Sequence, residues 1–526
     1  MISGGVVNGA VYGAKALGDA DFNSVSISGG TVKGVVHGGD SNTGDANGNV
    51  VTISGGHIDR NVYGGHAPGG KAINNRVILE GSPEFGSAST LYGGSNGIGD
   101  GNTLEVRTKG LTVYDVKNFQ NYHFLLPANM QHGETVLKLT NTTDVTDISD
   151  SKISVARQGG STLLYQGEQV TLIHTEGGLN TSNIQQGKLT GYQGISLEYA
   201  FDLSSDTNNL YAMVTADAIV RDQAKAPVEA RASMMALSLQ GADLVAGSGI
   251  SNALSAVSSS EVAAFGAMSG GQARYHSGSH TDVNGVGVML GAAKRYSLND
   301  GTLAAGVFFE GGRGSYDTYN NLGAGAVRGS GRAHYAGAGL LARHDWDTGL
   351  YAEASLRGGR ITSDWSSGDL GVADASYDSS VSYFGAHAGV GYVWSISQRT
   401  SLDVSAKYFW THQGSDSASI AGDPYHFKAT NSQRTRLGAR VNYDFSDRII
   451  GYAGAAWERE YDSVARATAY GLATASPSLK GNTGVFEVGF NAKPDAKSPL
   501  TLGLGVQGYT GKREGVSGTL DMRWAF

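Results

Sequence analysis

Ser259, Ser260, His334 and His387 supply the hydroxyls and imidazoles that acyl transfer needs. A hydrolytic site also requires a nucleophile, a base and an oxyanion donor converging on one point, and no spacing in this sequence pairs these four. His37 and His57 sit in short glycine-bounded runs and read as exposed turn or strand residues before they read as ligands. Gly39-Asp40-Ser41-Asn42 and Gly94-Ser95-Asn96-Gly97-Ile98-Gly99-Asp100 resemble Gly/Asp repeats in which carboxylates and carbonyls wrap a calcium ion. Their spacing departs from Gly-Gly-x-Gly-x-Asp, so they read as turns. Gly285-Val286-Gly287 and Gly389-Val390-Gly391 lack the following helix that a phosphate cradle needs. With no Cys, disulfides and Cys-rich metal sites are excluded. The expectation is a chain without catalytic, cofactor-binding or metal-ligating residues. A net charge of -8 offers no basic footprint for nucleic acid.

The elements around these residues are unusual in composition. The 526 residues include 79 Gly but only 8 Pro, and 16% are charged, which argues for a chain dominated by strands and turns. A mean hydropathy of -0.20 rules out a helical membrane protein, whereas a β-barrel escapes that test because its lipid-facing residues alternate with polar ones. The N-terminus has no basic and apolar leader, so the sequence reads either as a cytosolic protein or as a piece that begins inside a longer chain.

Residues 1–104 repeat. Ile2-Ser3-Gly4-Gly5 recurs as Ile27-Ser28-Gly29-Gly30 and Ile53-Ser54-Gly55-Gly56, with a degenerate copy at Leu79-Glu80-Gly81-Ser82. A second element follows each copy: Val11-Tyr12-Gly13, Val36-His37-Gly38, Val62-Tyr63-Gly64 and Leu91-Tyr92-Gly93. A period near 25 residues, built of β-branched runs closed by Gly-Gly, predicts one coil of a right-handed parallel β-helix per repeat. Residues 105–220 carry irregular alternating runs, which predict wider coils that cover the C-terminal edge of the stack.

Residues 221–261 change to a helical pattern. Pro227 suits the first turn, Glu229 the positive end of the helix dipole, and the Ala/Leu/Met run through Ala246 ends at Gly247 and Gly249. From 262 to 526 twelve period-2 segments follow, at 263–275, 284–296, 302–316, 331–345, 350–364, 383–396, 401–414, 433–445, 449–461, 481–493, 499–511 and 514–526. At about 13 residues they exceed sandwich strands and suit tilted membrane strands. Connections alternate between tight turns and long polar stretches at 317–330, 365–382, 415–432 and 462–480, the rhythm of an outer-membrane barrel. Tyr275, Tyr296, Tyr392, Trp394, Trp410 and Trp524 near strand ends would form its aromatic girdles.

The alternation assigns faces. Leu520, Met522, Trp524 and Phe526 point outward, while Glu310, Glu353, Arg357, Lys407, Arg436, Arg440, Glu487, Asp521 and Arg523 point into the lumen. These mixed charges either pair with one another and with the helix or remain separately solvated. Pro227, Glu229, Arg231, Met235, Leu239 and Asp243 mark the helix, which at about 30 Å is long enough to cross the apolar band.

Gly270-Gly271-Gln272-Ala273-Arg274-Tyr275, Phe309-Glu310-Gly311-Gly312-Arg313-Gly314, Lys407-Tyr408-Phe409-Trp410-Thr411-His412-Gln413 and the terminal Met522-Arg523-Trp524-Ala525-Phe526 resemble the type Va autotransporters. The likeness runs through the whole chain: β-helical passenger end, junction or autochaperone-like region, pore-spanning linker helix and translocator barrel. It implies an all-β fold, apart from the linker, that carries its own passenger through the outer membrane. The passenger would then be an adhesin or a structural stalk at the cell surface, and the chain would not be an enzyme. The resemblance further implies a monomer in outer-membrane lipid and lipopolysaccharide, delivered by periplasmic chaperones to the barrel assembly machinery, with Met522, Trp524 and Phe526 as the assembly signal. The linker lacks the Asn-Asn pair used for self-cleavage in some members, since Asn252 stands alone. A diffusion porin or a barrel enzyme is the alternative, and a helix directly before the first strand speaks against the porin.

Overall fold

The computed structural model describes residues 1–95, 100–184, 187–257, 261–323, 325–372, 375–495 and 498–525. It divides into two compact units, Met1–Arg221 and Asp222–Phe526.

The first unit is a parallel β-helix. One face stacks Ile2–Val7, Ser24–Val32, Val50–Ile58, Arg76–Leu79, Thr103–Val106, Asn121–Leu126, Lys152–Arg157 and Gly187–Gln193 in parallel. A second stacks Val11–Ala16, Val36–Ser41, Val62–His66, Thr90–Tyr92 and Asp115–Lys117. Ile27, Ile53 and Leu79 occupy equivalent positions on successive rungs and are fully buried. The polar corner is also stacked. Asn23 Nδ2 donates to Asn49 Oδ1 at 3.0 Å, Asn49 Nδ2 to Asn75 Oδ1 at 3.1 Å, and Asn75 Nδ2 to Asn102 Oδ1 at 3.2 Å. Each accepting oxygen also takes the backbone N–H of the preceding asparagine at 2.8–2.9 Å, so these buried amides meet the demand that buried polar groups be bonded. The parallel stack ends where Gly187–Gln193, Leu197–Ser205 and Asn209–Val220 pair antiparallel.

His37 corrects an expectation. It is 6% exposed, its ring sandwiched between Tyr12 and Tyr63 at centroid distances of 5.1 and 5.0 Å. Burial pushes its imidazole down to about 4, against the opposing pull of Asp40. His57 is a partly exposed strand residue beside Asp59 and Glu84. Residues 96–99 of the second Gly/Asp stretch lie outside the described residues.

The second unit begins with helix. A short turn at Asp222–Lys225 leads into α1, Ala226–Leu244, with Pro227 in its first turn. Gly247 and Gly249 do not stop it: Val245–Gly249 forms a single π-helical turn, and the path continues as α2, Ile250–Val257. From Ala226 to Val257 it runs about 48 Å.

Twelve strands then close on themselves: β1 Val262–Tyr275, β2 His280–Leu298, β3 Gly301–Leu322, β4 Gly325–Trp346, β5 Leu350–Ser367, β6 Ala375–Ser397, β7 Thr400–Gln413, β8 Thr430–Ser446, β9 Ile449–Glu460, β10 Gly481–Ala492, β11 Leu500–Gly511 and β12 Arg513–Ala525. The seam joins β1 to β12 antiparallel, with Ala263 opposite Ala525 and Tyr275 opposite Arg513. Even strand number and closure remove every free edge.

Two of the polar stretches expected as loops are strand. Residues 317–322 pair with 325–330 as an extension of the β3–β4 hairpin, and β5 and β6 extend into 365–382. In 415–432 and 462–480, Asp416–Ile420, Asp423–Phe427, Ala467–Ala469 and Leu472–Ala473 build a four-stranded sheet. The small sheet buries Ile420, Tyr425 and Phe427 on one side, with Phe427 stacked on Tyr377 at 5.0 Å.

Candidate functional site: a helix-filled pore

The outside of the barrel is apolar. Val288, Leu290, Phe309, Leu340, Leu356, Phe384, Val390, Phe486, Val488, Val506 and Leu520 are each more than 40% exposed, together with Met522 and Trp524. Such a belt is far beyond the scattered apolar surface of a soluble domain. Tyr296, Trp394, Trp410 and Trp524 are exposed on it, with Tyr392 partly buried and 4.7 Å from Trp394. Tyr275 does not belong to a girdle. It shares the inward parity of Ala273 and is 4% exposed, with the Arg513 guanidinium 5.5 Å from its ring centroid. Phe526 lies outside the described residues.

The inside is filled by the helix, whose residues are almost all buried. At one mouth Lys225 Nζ meets Glu229 Oε1 and Asn320 Oδ1, each at 2.8 Å, and Tyr377 Oη donates to Pro227 O at 2.8 Å. Arg231 donates to Ser379 Oγ at 3.2 Å and to the Gly414 carbonyl. All these partners stand at the long-connection ends of their strands. At the opposite mouth α2 packs on the first residues of β1, Asn252 Nδ2 donating to Gly266 O at 3.3 Å, while Val257 and Ala263 share one apolar cluster with Phe265 and Met289. The helix therefore runs from the long-connection mouth to the tight-turn mouth, where β1 begins.

The middle of the helix is held on two sides by different means. Toward β2–β5 it lies close against glycine and small residues. A Cβ on Gly241 would sit 2.6 Å from Tyr335 Oη and 2.9 Å from Arg357 Nη1, and one on Gly285 would sit 2.8 Å from Leu237 Cδ1. Gly285 of the Gly285-Val286-Gly287 stretch thus makes room for the helix, and Gly287 for the Tyr335 hydroxyl. Toward β8, β9 and β12 the helix is held by charge. Asp243 accepts from Arg434 Nη1 at 3.0 Å, Arg436 Nη2 at 2.9 Å and Arg513 Nη1 at 2.9 Å. Glu458 accepts from two of the same guanidinium groups, 3.1 Å from Arg434 Nη1 and 2.6 Å from Arg436 Nη2.

Two more clamps grip the helix backbone. Arg357 Nη2 donates to Ser238 O at 2.6 Å while its Nη1 stays 3.0 Å from Glu310, which also accepts from Tyr383 Oη at 2.7 Å. Lys407 Nζ donates to Ala246 O at 2.8 Å and pairs with Glu353 at 2.6 Å. Arg440 and Glu487 pair at 2.7 Å along the wall. Arg523 donates to Asn491, and Asp521, like Arg523, is less than 10% exposed. Met235 and Leu239 pack among the buried helix residues. Between helix and wall remains a polar cavity of about 120 Å³ lined by Asp243, Glu353, Lys407, Arg436, Arg440 and Glu487, space for a few waters.

Most of the mixed lumen charges thus pair with one another along the wall, while Arg357, Lys407 and Arg436 also reach the helix. Arg434, Glu458, Arg513 and Ser238 were not singled out in the sequence. Arg434 could have been, since it lies two residues from Arg436 and so shares its face, but Arg513 comes to Asp243 only through closure of the seam. His387 faces Glu353 at 3.4 Å and lies tilted against Phe409 at a centroid distance of 5.0 Å, and His334 is exposed. Ser259 and Ser260 lie outside the described residues; Ser355 pairs opposite His387 and Thr362 opposite His334 on neighbouring strands.

A closed antiparallel barrel with an apolar belt and a helix threaded through its lumen is an outer-membrane translocator domain. Residues 262–507, within the barrel unit, match the family described as Autotransporter beta-domain. Among solved structures the chain is similar to the transport unit of the autotransporter AIDA-I from Escherichia coli, at 17% identity and TM-score 0.43, over 53% of this chain and 98% of that one. It is also similar to the translocator domain of NalP from Neisseria meningitidis, at 13% identity and TM-score 0.43, over 55% and 98%. The beta domain of the Bordetella autotransporter BrkA gives 16% identity and TM-score 0.41, over 51% and 100%. No curated protein matches the chain.

Proposed function

We propose that the barrel carries the β-helical unit of its own chain to the cell surface and then keeps the helix as a stopper. The direction of the helix carries this reading. Its N-terminal end lies at the mouth bearing the long connections, which in outer-membrane barrels face outward, and its C-terminal end lies at the mouth with tight turns, where β1 begins. A segment upstream of Asp222 leaves the pore on the outer side, having passed through the lumen. A diffusion porin needs no such helix, and three separate polar clamps on one would only obstruct it.

The β-helical unit suits a stalk or adhesin. It is repetitive, its interior is consumed by stacking, and its antiparallel strands at Leu197–Val220 would serve as an autochaperone-like cap that offers the first finished edge for coils to fold upon. Its host or surface ligand is of unassigned chemistry. Chaperones and the assembly machinery would deliver the barrel to lipid and lipopolysaccharide as a monomer, with Met522 and Trp524 outward on β12 beside Phe526 as the address. Deleting Phe526 is expected to lower barrel assembly in cells more than it lowers the melting temperature of folded barrel in detergent, and equal effects on the two would remove that role.

The test of export is protease accessibility in intact cells given the chain behind a secretory leader. Residues 1–221 should be cleaved by external protease while the barrel stays protected. A folded barrel with its β-helix shielded until the outer membrane is permeabilised would refute the proposal.

A further inference from the structure

The β-helix carries a side-chain cluster that the translocator function does not use. Asp40 and His66 occupy matching positions on neighbouring rungs, as do His37 and Tyr63. One carboxylate oxygen of Asp40 and one ring nitrogen each of His37 and His66 all lie within 4.8 Å of one another. His66 Nδ1 is 2.7 Å from Asp40 Oδ1, and the His37 and His66 rings meet edge to face at 5.0 Å. His37 is 6% exposed and its Nδ1 has no hydrogen-bond partner. A buried polar atom left unbonded costs free energy, and here it belongs to a ring fixed in place by Tyr12 and Tyr63 on either face.

We propose that His37, Asp40 and His66 form a site for a borderline divalent cation of the zinc(II) type, which staples two successive coils of the β-helix. Two imidazoles and one carboxylate are the donor set such ions select, whereas calcium prefers an all-oxygen shell. Ligand atoms on a tetrahedral zinc shell of ~2.0–2.1 Å radius stand about 3.4 Å apart, so the cluster closes onto an ion by small side-chain movements. Access is through His66, whose side chain is 30% exposed. Lys15, on the preceding rung, holds Asp40 Oδ2 at 3.3 Å and competes with the ion for that carboxylate.

The competition gives a readout that a purely structural role for these side chains would not move. The untagged, metal-stripped full chain in detergent is titrated with Zn²⁺ by calorimetry, and with Co²⁺ as an optical probe. One equivalent should bind, and Asp40→Asn and His66→Gln should each weaken binding by about tenfold or more. Lys15→Ala should tighten it, and His57→Ala, at the other His/carboxylate group, should leave it unchanged. His66→Gln and Lys15→Ala alter partly exposed side chains, so the outcome does not depend on the buried His37 tolerating substitution. The proposal is overturned by absence of saturable binding up to about 100 μM Zn²⁺, by an affinity indifferent to both Asp40→Asn and His66→Gln, by a Lys15→Ala affinity no tighter than wild type, or by loss of binding in His57→Ala.

Discussion

Asp243 Oδ1 accepts a hydrogen bond from Arg436 Nη2 at 2.9 Å, tying the middle of the pore helix to β8 across 193 positions of sequence. Arg434 and Arg513 reach the same carboxylate. Removing one member of a buried ion cluster leaves the others uncompensated, at a cost of about 3–5 kcal/mol.

Asp243→Ala should therefore lower the denaturant midpoint of the folded barrel in detergent and let the helix leave the lumen part of the time. Planar-bilayer recordings should show brief large openings absent from the wild type. Unchanged stability together with unchanged recordings would mean that the three arginines are satisfied without Asp243.

Deleting residues 222–256 from the barrel unit should leave a folded β-barrel of much higher conductance than one beginning at residue 222. The helix occupies the lumen, with a polar cavity of about 120 Å³ at its side. Equal conductance of the two would return the porin reading to contention.

Val488→Arg should cost about 2–4 kcal/mol if it sits at mid-membrane, because Val488 is 58% exposed on the apolar belt between Phe486 and Phe490. Glu487→Gln should cost less. Its partner Arg440 borders the polar cavity, where water replaces part of the lost pair. Urea titrations of the two variants in lipid vesicles compare them directly, and a costlier Glu487→Gln would reverse the faces assigned to β10.

Acid should weaken the β-helix through Glu105. Burial alone would raise this carboxyl, but Arg76 and Arg107 beside it hold it below its ordinary 4.5, with His123 on the next rung also facing it. A depressed folded pKa means the stabilisation is complete above the unfolded value and is lost as pH falls through the folded one. Wild type should lose stability between about pH 5 and pH 2 more steeply than Glu105→Gln. Parallel acid curves for the two proteins would assign the loss to other groups.

The twelve barrel strands are legible because each separates lipid from lumen, which imposes strict alternation, as in Leu402, Val404 and Ala406 against Asp403, Ser405 and Lys407. The hairpin tips at 317–322 and 325–330 are not legible. Their buried positions are mostly polar, Thr318 and Asn320 beside Val327, and their Gly, Ser, Asn and Asp residues look like loop. Tyr275 was misplaced because nearness to a strand end says nothing about which side a ring points to, whereas its parity with Ala273 does. The continuation of the helix past Gly247 is equally hidden, since glycine reads as a stop and only the packed lumen makes a π turn there tolerable. His37 lacked any mark of burial because its neighbours in the stack, Tyr12 and Tyr63, are 25 and 26 residues away.

The buried asparagine column makes the β-helix a structure that comes apart in one order. An interior coil that let go would strand the amides above and below it at once, whereas a terminal coil releases only one set. Loss from the ends is thus cheap and rupture from the middle expensive, the behaviour of a zipper whose teeth are single side chains of Asn49, Asn75 and Asn102. A pulling force or a protease meets such a stack coil by coil, and shortening it by one period removes one increment of stability without disturbing the register of the rest.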